Sequence, residues 1–222
     1  MSKPLNIILL GRSGSGKGTQ LNLLKKKMPL IEIDTGALLR QFAKQKNPLA
    51  KSIAEIIDSG LRAPTWLVVS LWLNKILNLK ENAKKFGLIF EGSPRCLNEA
   101  MILEEALNLM GRDNFKAIYI NVPKEEVIKR LDVRRICQNC NREYSLELNP
   151  KLSKVLKCPV CGGKLLKRKD DNLKAIKNRM NYFDKEVMPV IRYFKNKKKL
   201  IEVDGVGSVN EVFGRIVQKL KI

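Results

Sequence analysis

The chain has 222 residues, of which 44% are hydrophobic, so it is long enough for one domain with its own core, with or without insertions. Its 43 basic and 22 acidic side chains give a net charge of +21, and it contains no histidine. The lack of histidine excludes Ser-His-Asp chemistry, histidine general bases and histidine-rich catalytic zinc sites.

The first predicted element is a strand at residues 5–10, followed by the sequence Gly-Arg-Ser-Gly-Ser-Gly-Lys-Gly-Thr at 11–19 and a helix that extends to Met28. The pattern G-x-x-x-x-G-K binds phosphates, because glycines let successive N–H groups point at an anion and the helix dipole adds positive charge. We expect Lys17 to contact the β- and γ-phosphates and Thr19 to reach Mg²⁺. Directly after Lys17, where Ser or Thr is usual, the chain has Gly18.

Strands and helices then alternate along the chain. Further strands are expected at residues 30–33, 87–90, 116–122 and 200–203. Helices are expected from Asp34 or Thr35 to about 46, and at 49–59, 64–79, 97–110, 123–135, from 170 to about 189 and after Ser208. This alternation predicts an α/β fold with a parallel sheet covered by helices on both faces.

Two charged residues follow the predicted strand at 87–90. Glu91 ends the strand and is placed to hold magnesium, directly or through water. Arg95 comes next, at the carboxyl edge of the sheet, where open α/β sheets bind ligands.

Four cysteines interrupt the alternation. Cys137, Cys140, Cys158 and Cys161 form the pattern C-x2-C-x17-C-x2-C, which is typical of a tetrahedral four-cysteine zinc site. Such a site has no open position, so the predicted metal is structural. No apolar run approaches a membrane span and no signal-peptide pattern is visible, so we expect a cytoplasmic protein, in which disulfides are disfavoured.

Arginines bracket the cysteine segment. Arg130, Arg134 and Arg135 precede it, and Arg168 and Arg179 follow it. The spacing of Arg130 and Arg134 places both on one face of the helix predicted at 123–135. Together these arginines indicate a lid that closes over phosphates, since guanidinium groups stabilise the charge of a transferring phosphoryl group.

With these motifs in place, the chain resembles the adenylate kinase family in its long form with a zinc-binding lid. The resemblance rests on residues 11–20, 34–40, 60–63, 92–95 and 168–171. It implies a three-layer P-loop fold with a five-stranded parallel sheet at 1–34, 80–130 and 170–222, a helical monophosphate-binding segment at 35–79 and a lid at 131–169.

The resemblance also implies functional residues and ligands. The ATP-binding residues would be Gly14, Ser15, Gly16, Lys17, Gly18, Thr19, Arg130, Arg134, Tyr144 and Gly207. The AMP-binding residues would be Thr35, Gly36, Arg40, Leu61, Ala63, Gly92, Arg95, Glu99, Arg168 and Arg179. Catalysis would depend on Lys17, Arg95, Arg130, Arg134, Arg168 and Arg179, with Mg²⁺ held through water by Thr19 and Glu91 and structural Zn²⁺ by the four cysteines.

The chain departs from the family pattern at several positions, among them Thr65 and Trp66 in place of acidic residues and three that bear on magnesium or on the acceptor. Glu91 and Ser93 stand where the family has Asp and Phe, and Glu99 stands where a Gln bonds the adenine of AMP. An ionised carboxylate only accepts hydrogen bonds, so Glu99 would suit guanine, which presents two donors.

The expected reaction is transfer of the γ-phosphoryl group of Mg-ATP to a nucleoside monophosphate, with AMP as first choice and GMP or CMP as alternatives. The expected state is a monomer. A P-loop ATPase that binds nucleic acid through the cysteine segment is a further alternative, motivated by the basic charge. The single aromatic residue of that segment, Tyr144, argues against stacking on bases.

Overall fold

Strands and helices alternate through the computed structural model, which describes residues 3–140, 142–146, 150–168 and 171–222. In chain order the elements are β1 (Asn6–Leu10), α1 (Lys17–Lys27), β2 (Leu30–Asp34), α2 (Thr35–Phe42), α3 (Pro48–Asp58), α4 (Thr65–Leu77), a 3₁₀ helix (Glu81–Lys85), β3 (Gly87–Glu91), α5 (Leu97–Leu109), β4 (Phe115–Asn121), α6 (Lys124–Asp132), β5 (Arg134–Cys137), β6 (Glu143–Ser145), α7 (Pro150–Val155), β7 (Leu165–Leu166), α8 (Leu173–Tyr182), a π-helix (Phe183–Val187), α9 (Met188–Asn196), β8 (Leu200–Asp204) and α10 (Val209–Leu220).

Five of these strands form one parallel sheet in the order β2-β3-β1-β4-β8. The parallel direction brings the carboxyl ends of β1, β2 and β3 to one edge, so the segments that follow them lie close together. The predicted five-stranded α/β fold is confirmed, and the carboxyl edge of its sheet is where the predicted phosphate loop begins.

Alternate residues of each strand enter separate hydrophobic clusters on the two faces of the sheet. On β1, Ile8 and Leu10 pack with side chains from α2 to α5 and α9, whereas Ile7 and Leu9 pack with α1, α6, α8 and α10. All four side chains are at most 2% exposed. The sheet is therefore the middle of three layers, and its burial fixes the strand ends that carry the site.

The cysteine segment forms a second, small sheet. Its three strands are antiparallel, in the order β6-β5-β7. Cys137, Cys158 and Leu165 are the buried members of its hydrophobic cluster within the described residues. We call the segment at 131–169 the lid.

One predicted helix is wrong at its end, and the error concerns a site residue. The helix expected at 123–135 stops at Asp132, and Arg134 lies on β5, so Arg130 and Arg134 do not share a helix face. The physical reason is long-range pairing: Arg134 and Ile136 are in register with Ser145 and Glu143 of β6. A helix would use the same backbone groups for local bonds.

Two other predicted helices also differ from the structure. The helix expected to reach residue 46 ends at Phe42, although Asp34 caps its start by accepting a hydrogen bond from the Ala37 N–H at 2.9 Å. The helix expected from Asp170 begins at Leu173, and Asp170 lies outside the described residues. Its continuation passes through the π-helix, since Pro189 lacks the N–H that an unbroken α-helix needs.

The final predicted helix is confirmed with its cap. Ser208 accepts a hydrogen bond from the Glu211 N–H, and the Glu211 side chain accepts one from the Ser208 N–H. Among the described residues, no helix combines the length and apolar character needed to span a bilayer.

Candidate functional site

A cleft of about 1360 Å³ lies at the carboxyl edge of the parallel sheet. Its walls come from the loop after β1, the start of α2, the segment after β3, the lid and α8. A site for one small ligand usually measures roughly 300–1,000 Å³. The cleft is thus large enough for two ligands of nucleotide size.

The loop after β1 forms the first wall of the cleft. Gly14 and Gly16 both have positive φ, at 88° and 91°, a conformation that favours glycine. The Lys17 Nζ donates hydrogen bonds to the carbonyl oxygens of Gly11 and Arg12, each at 2.9 Å. Helix α1 begins at the cleft with Lys17, Gly18 and Thr19, which all line it. This is the arrangement that the sequence predicts for a phosphate loop.

Glu91 and Lys17 form a charged pair of neighbours in the cleft wall. A Cβ added to Gly18 would lie 3.4 Å from the Glu91 Oε2, so the first turn of α1 faces this carboxylate. Burial lowers the pKa of Lys17, and the negative charge of Glu91 partly offsets this effect. Burial likewise raises the pKa of Glu91, with Lys17 opposing the shift. Each group thus stabilises the charge of the other.

Residues predicted to contact the phosphate acceptor line the same cleft from another side. The lining members are Gly36, Arg40, Leu61, Ala63, Gly92, Arg95, Arg168 and Arg179. The Arg95 Nη1 donates to the Tyr182 hydroxyl at 2.8 Å, which directs this guanidinium across the cleft. Sequence reasoning did not select Tyr182, because this residue belongs to no recognisable motif.

Thr35 lies just behind the cleft wall, between Asp34 and Gly36. Its side chain is 1% exposed, and its hydroxyl oxygen has no hydrogen-bond partner in the part of the chain that is described. A buried hydroxyl without a partner is costly in free energy, and this one lies between Asp34 and Gly36, which both line the cleft.

Glu99, by contrast, is already bonded on both carboxylate oxygens. Its Oε2 accepts from the Ser93 hydroxyl at 3.0 Å and from the Arg95 N–H at 2.7 Å, and its Oε1 lies 3.4 Å from the Arg62 Nη1. The side chain is 1% exposed and does not line the cleft. In this structure Glu99 anchors the segment 93–95 from behind the cleft wall, and its contact with the acceptor base stays a prediction.

A second, small cavity adjoins the phosphate loop. Ser15, Gly207 and Arg130 line it, and Arg130 lines the large cleft as well. The Arg130 Nε donates to Glu126 Oε1 at 2.9 Å. All residues predicted to contact a nucleotide line one of these two cavities, except Thr35 and Glu99.

Two carboxylates organise the arginines around the lid. Asp171, whose side chain is fully buried, accepts from the Arg134 Nε at 2.7 Å and Nη2 at 2.5 Å and from the Arg179 Nη1 at 2.9 Å. Glu143 accepts from the Arg134 Nη1 at 3.1 Å and from the Arg168 Nη1. Bidentate bonds of this kind fix a guanidinium in one orientation.

Sequence reasoning did not select Glu143 at all. Burial alone would raise the pKa of this carboxylate, but the guanidinium groups of Arg134, Arg168 and Arg40 outweigh it and lower the pKa to about 2. An acidic residue within an arginine-flanked segment of a chain with charge +21 was a signal that could have identified it.

The four cysteines converge beside the cleft. Their sulfur atoms all lie within 4.8 Å of one another. Cys137 and Cys161 sulfurs are 3.4 Å apart, and Cys140 and Cys158 sulfurs are 3.6 Å apart. These distances are far from a disulfide bond and close to the value of about 3.8 Å that tetrahedral Zn–S bonds of about 2.3 Å would give. The cluster can hold a metal ion with four thiolate ligands.

Tyr144, predicted to contact ATP, lies where the metal cluster meets the cleft. It lines the cleft, and its hydroxyl is 3.2 Å from the Cys158 sulfur. Tyr144 therefore contacts the cysteine cluster and the cleft at once, so a change in the cluster would move a side chain of the cleft wall.

Comparison with known proteins agrees with this geometry. The family model described as "Adenylate kinase" matches residues 9–199. A protein named adenylate kinase from Clostridium tetani is 36% identical over 213 residues, covering 96% of each chain. Proteins of the same name from Staphylococcus epidermidis and Dehalococcoides mccartyi are 35% and 34% identical, over 97% of this chain and 99% and 98% of theirs.

The matches span the phosphate loop, the acceptor side of the cleft and the lid, so they cover all parts of the site described above. This chain belongs to the adenylate kinase family and is a phosphotransferase that acts between ATP and a nucleoside monophosphate.

Proposed function

We propose that this enzyme transfers the γ-phosphoryl group of Mg-ATP to AMP and forms two ADP. The observation that carries the proposal is that the phosphate loop and Arg95 line the same cleft. The acceptor phosphate is already an anion and needs no general base, which fits a chain without histidine. The relatives named adenylate kinase support AMP as the acceptor.

The position of Glu99 supports AMP over GMP. Guanine would offer two donors to a carboxylate in the cleft, but both oxygens of Glu99 already accept from protein groups behind the wall. These contacts weaken the sequence-based reason for keeping GMP as an alternative acceptor. Thr35, with its unpartnered hydroxyl, is the buried side chain that we assign to the acceptor.

The charged groups have separate roles in the proposal. Lys17 and the loop amides hold the ATP phosphates, Arg40 and Arg95 hold the acceptor phosphate, and Arg130, Arg134, Arg168 and Arg179 surround the transferring group. Thr19 and Glu91 would hold Mg²⁺ through water, where the ion would neutralise phosphate charge. The burial that raises the pKa of Glu91 is offset once a cation is its neighbour.

We further propose that the lid at 131–169 and the segment at 35–79 close over the bound nucleotides. Closure would exclude water, which would otherwise hydrolyse ATP. A structural Zn²⁺ on Cys137, Cys140, Cys158 and Cys161 would hold the lid in shape. We also propose a monomer in the cytoplasm, where the four clustered cysteines would stay reduced and free to bind the metal.

Replacing Lys17 tests the assignment. Lys17→Met should lower turnover about 10³-fold or more, because the lysine is the point charge nearest the transferring phosphate. The matched control is Lys27→Met, since Lys27 is exposed at the other end of α1 and lines neither cavity. Near-normal turnover of Lys17→Met, with the same thermal stability as the wild type, would contradict the proposed role.

A substrate panel tests the acceptor. ATP is incubated with AMP, GMP, CMP, UMP or dTMP, and the diphosphates formed are counted by chromatography. AMP should give the highest kcat/KM. A higher value for GMP or CMP would retain the phosphotransfer chemistry and overturn AMP as the acceptor.

A further inference from the structure

Glu143 is a charged residue of the cleft to which the proposed phosphotransfer reaction assigns no role. It lies on β6 of the lid and lines the cleft. Its two oxygens accept hydrogen bonds from the Nη1 atoms of Arg134 and Arg168. These two arginine side chains are 9% and 12% exposed, whereas that of Glu143 is 35% exposed. The carboxylate thus covers two guanidinium groups from the open side.

Asp171 contacts the same cluster of arginines in a different way. Its carboxylate is fully buried, does not line the cleft and accepts from the Nε and Nη2 of Arg134. The guanidinium of Arg134 is therefore divided between two carboxylates: Asp171 holds two nitrogens from inside, and Glu143 takes the third from the cleft. Only the second of these positions can be reached by a ligand in the cleft.

A carboxylate that bridges two arginines makes the same kind of contact as a phosphate. A carboxylate is planar and a phosphate is tetrahedral, but both present anionic oxygens. These oxygens accept charge-assisted hydrogen bonds from terminal guanidinium nitrogens. Arg40 adds its positive charge from the opposite segment of the cleft, at the start of the chain region 35–79. Glu143 is thus surrounded by arginines from both sides of the cleft.

We infer that Glu143 is an internal substitute for a nucleotide phosphate: it holds Arg134 and Arg168 together before a nucleotide binds, and a bound phosphate displaces it. This role of Glu143 rests on the proposed function, in which both arginines contact the transferring group. Glu143 is a positioning residue here, and it competes with the substrate for the same donors.

The sign of the effect separates this role from a purely structural one. If Glu143 competes with phosphate, its neutralisation removes negative charge from beside two guanidinium groups. Added anions then bind these groups more tightly. If Glu143 only supports the lid, its loss disorders the arginines, and anions bind less tightly. The two roles therefore predict opposite changes in affinity.

The test is calorimetric titration of the nucleotide-free, zinc-loaded protein with inorganic tripolyphosphate in the absence of magnesium. Glu143→Gln should lower the dissociation constant about tenfold, which corresponds to the loss of one competing charge-assisted hydrogen bond. Glu125→Gln is the matched control, because it makes the same change in net charge at an exposed position outside both cavities. An equal or higher dissociation constant for Glu143→Gln overturns the inference.

Two further variants allow the result to be interpreted if Glu143→Gln is unstable or if the proposed function is wrong. Glu143→Thr, with a β-branched side chain suited to β6, should also bind tripolyphosphate more tightly, and it replaces the Gln variant if that one loses zinc. Arg168→Gln tests the proposed function separately. If Arg168→Gln binds as tightly as the wild type, the assigned role of Arg168 fails. If it binds more weakly while both Glu143 variants match the wild type, only the role of Glu143 fails.

Discussion

In the parallel-sheet core, buried side chains fill both faces of five strands, whereas the hydrophobic cluster of the lid's small sheet has three buried members among the described residues, Cys137, Cys158 and Leu165. The core is held by apolar contacts that need no ligand. The lid brings four sulfur atoms within 4.8 Å of one another, an arrangement that can hold a metal ion, and it contains ion pairs of Arg134 with Glu143 and Asp171. The comparison teaches that the lid replaces a large apolar core with a cysteine cluster and buried ion pairs, which are contacts that a metal or an anion can change.

The largest effect is expected from removal of the lid metal. A structural zinc site contributes about 10–16 kcal/mol in small zinc domains, so a chelator should unfold the lid and lower turnover by orders of magnitude. Hydrogen exchange should increase in β5 and β6 and stay slow in β1 and β4, because the core does not use the metal. Metal content, turnover and exchange are measured on the same sample.

Cys96→Ser is the control for the metal experiment. Cys96 is a buried free thiol outside the four-cysteine cluster, so this variant should keep one zinc per chain. If the chelated wild-type protein retains both turnover and slow exchange in β5, the lid does not depend on metal and the contrast with the core is lost.

An intermediate effect is expected from a cavity in the core. Phe90 is fully buried on β3 and packs edge-to-face against Trp72, with ring centroids 6.2 Å apart. Phe90→Ala should lower the free energy of unfolding by about 3–5 kcal/mol, as measured by urea denaturation. Zinc content should not change, because the lid has a separate cluster.

Phe213→Ala provides the comparison for this variant. Phe213 is only partly buried against the other face of the sheet. Its truncation should therefore lower the free energy of unfolding by less than the truncation of Phe90. Loss of zinc from a folded Phe90→Ala protein would show that the core and the lid are not independent.

The smallest effect on stability is expected from a change at Glu99, a buried carboxylate of the core that is bonded to Arg62 and to the Arg95 N–H. Glu99→Gln keeps one acceptor oxygen but brings an amide N–H₂ towards the Arg62 guanidinium or the Arg95 N–H. The free energy of unfolding should fall by about 1–2 kcal/mol. The ratio of kcat/KM for AMP to that for GMP should remain unchanged, since the side chain does not line the cleft.

Ser93→Ala is the matched change, because it removes one of the donors to Glu99 and no charge. It should lower the free energy of unfolding by less than Glu99→Gln does, and it should also leave the acceptor preference unchanged. A shift of preference towards AMP in Glu99→Gln alone would mean that Glu99 does read the base, against its buried position.

Local patterns predicted much of this protein. The glycine loop before Lys17, the capping residues Asp34 and Ser208 and the four-cysteine spacing are short-range signals whose chemistry is complete within a few residues. Such signals do not depend on how distant segments pack, and the structure confirms the elements that they predicted.

The structure added to or differed from the prediction where distant segments meet. Arg134 follows a helix, and only its pairing with Ser145 on a strand eleven residues later makes it part of β5. Glu99 matches the position of a base-contacting residue, but Ser93, Arg95 and Arg62 bind its carboxylate behind the cleft. Neither outcome is visible in a local pattern, because both depend on partners that only the fold supplies.

The sequence by itself thus determined the fold class, the phosphate loop and the four-cysteine cluster, since glycine conformations, strand hydrophobicity and cysteine spacing act locally. Only the tertiary structure decided which charges meet: Asp171 and Glu143 with Arg134, and Glu99 with Arg62. The physical reason is that an ion pair depends on a distance of a few ångströms between side chains, and the chain places these partners 9 to 37 residues apart.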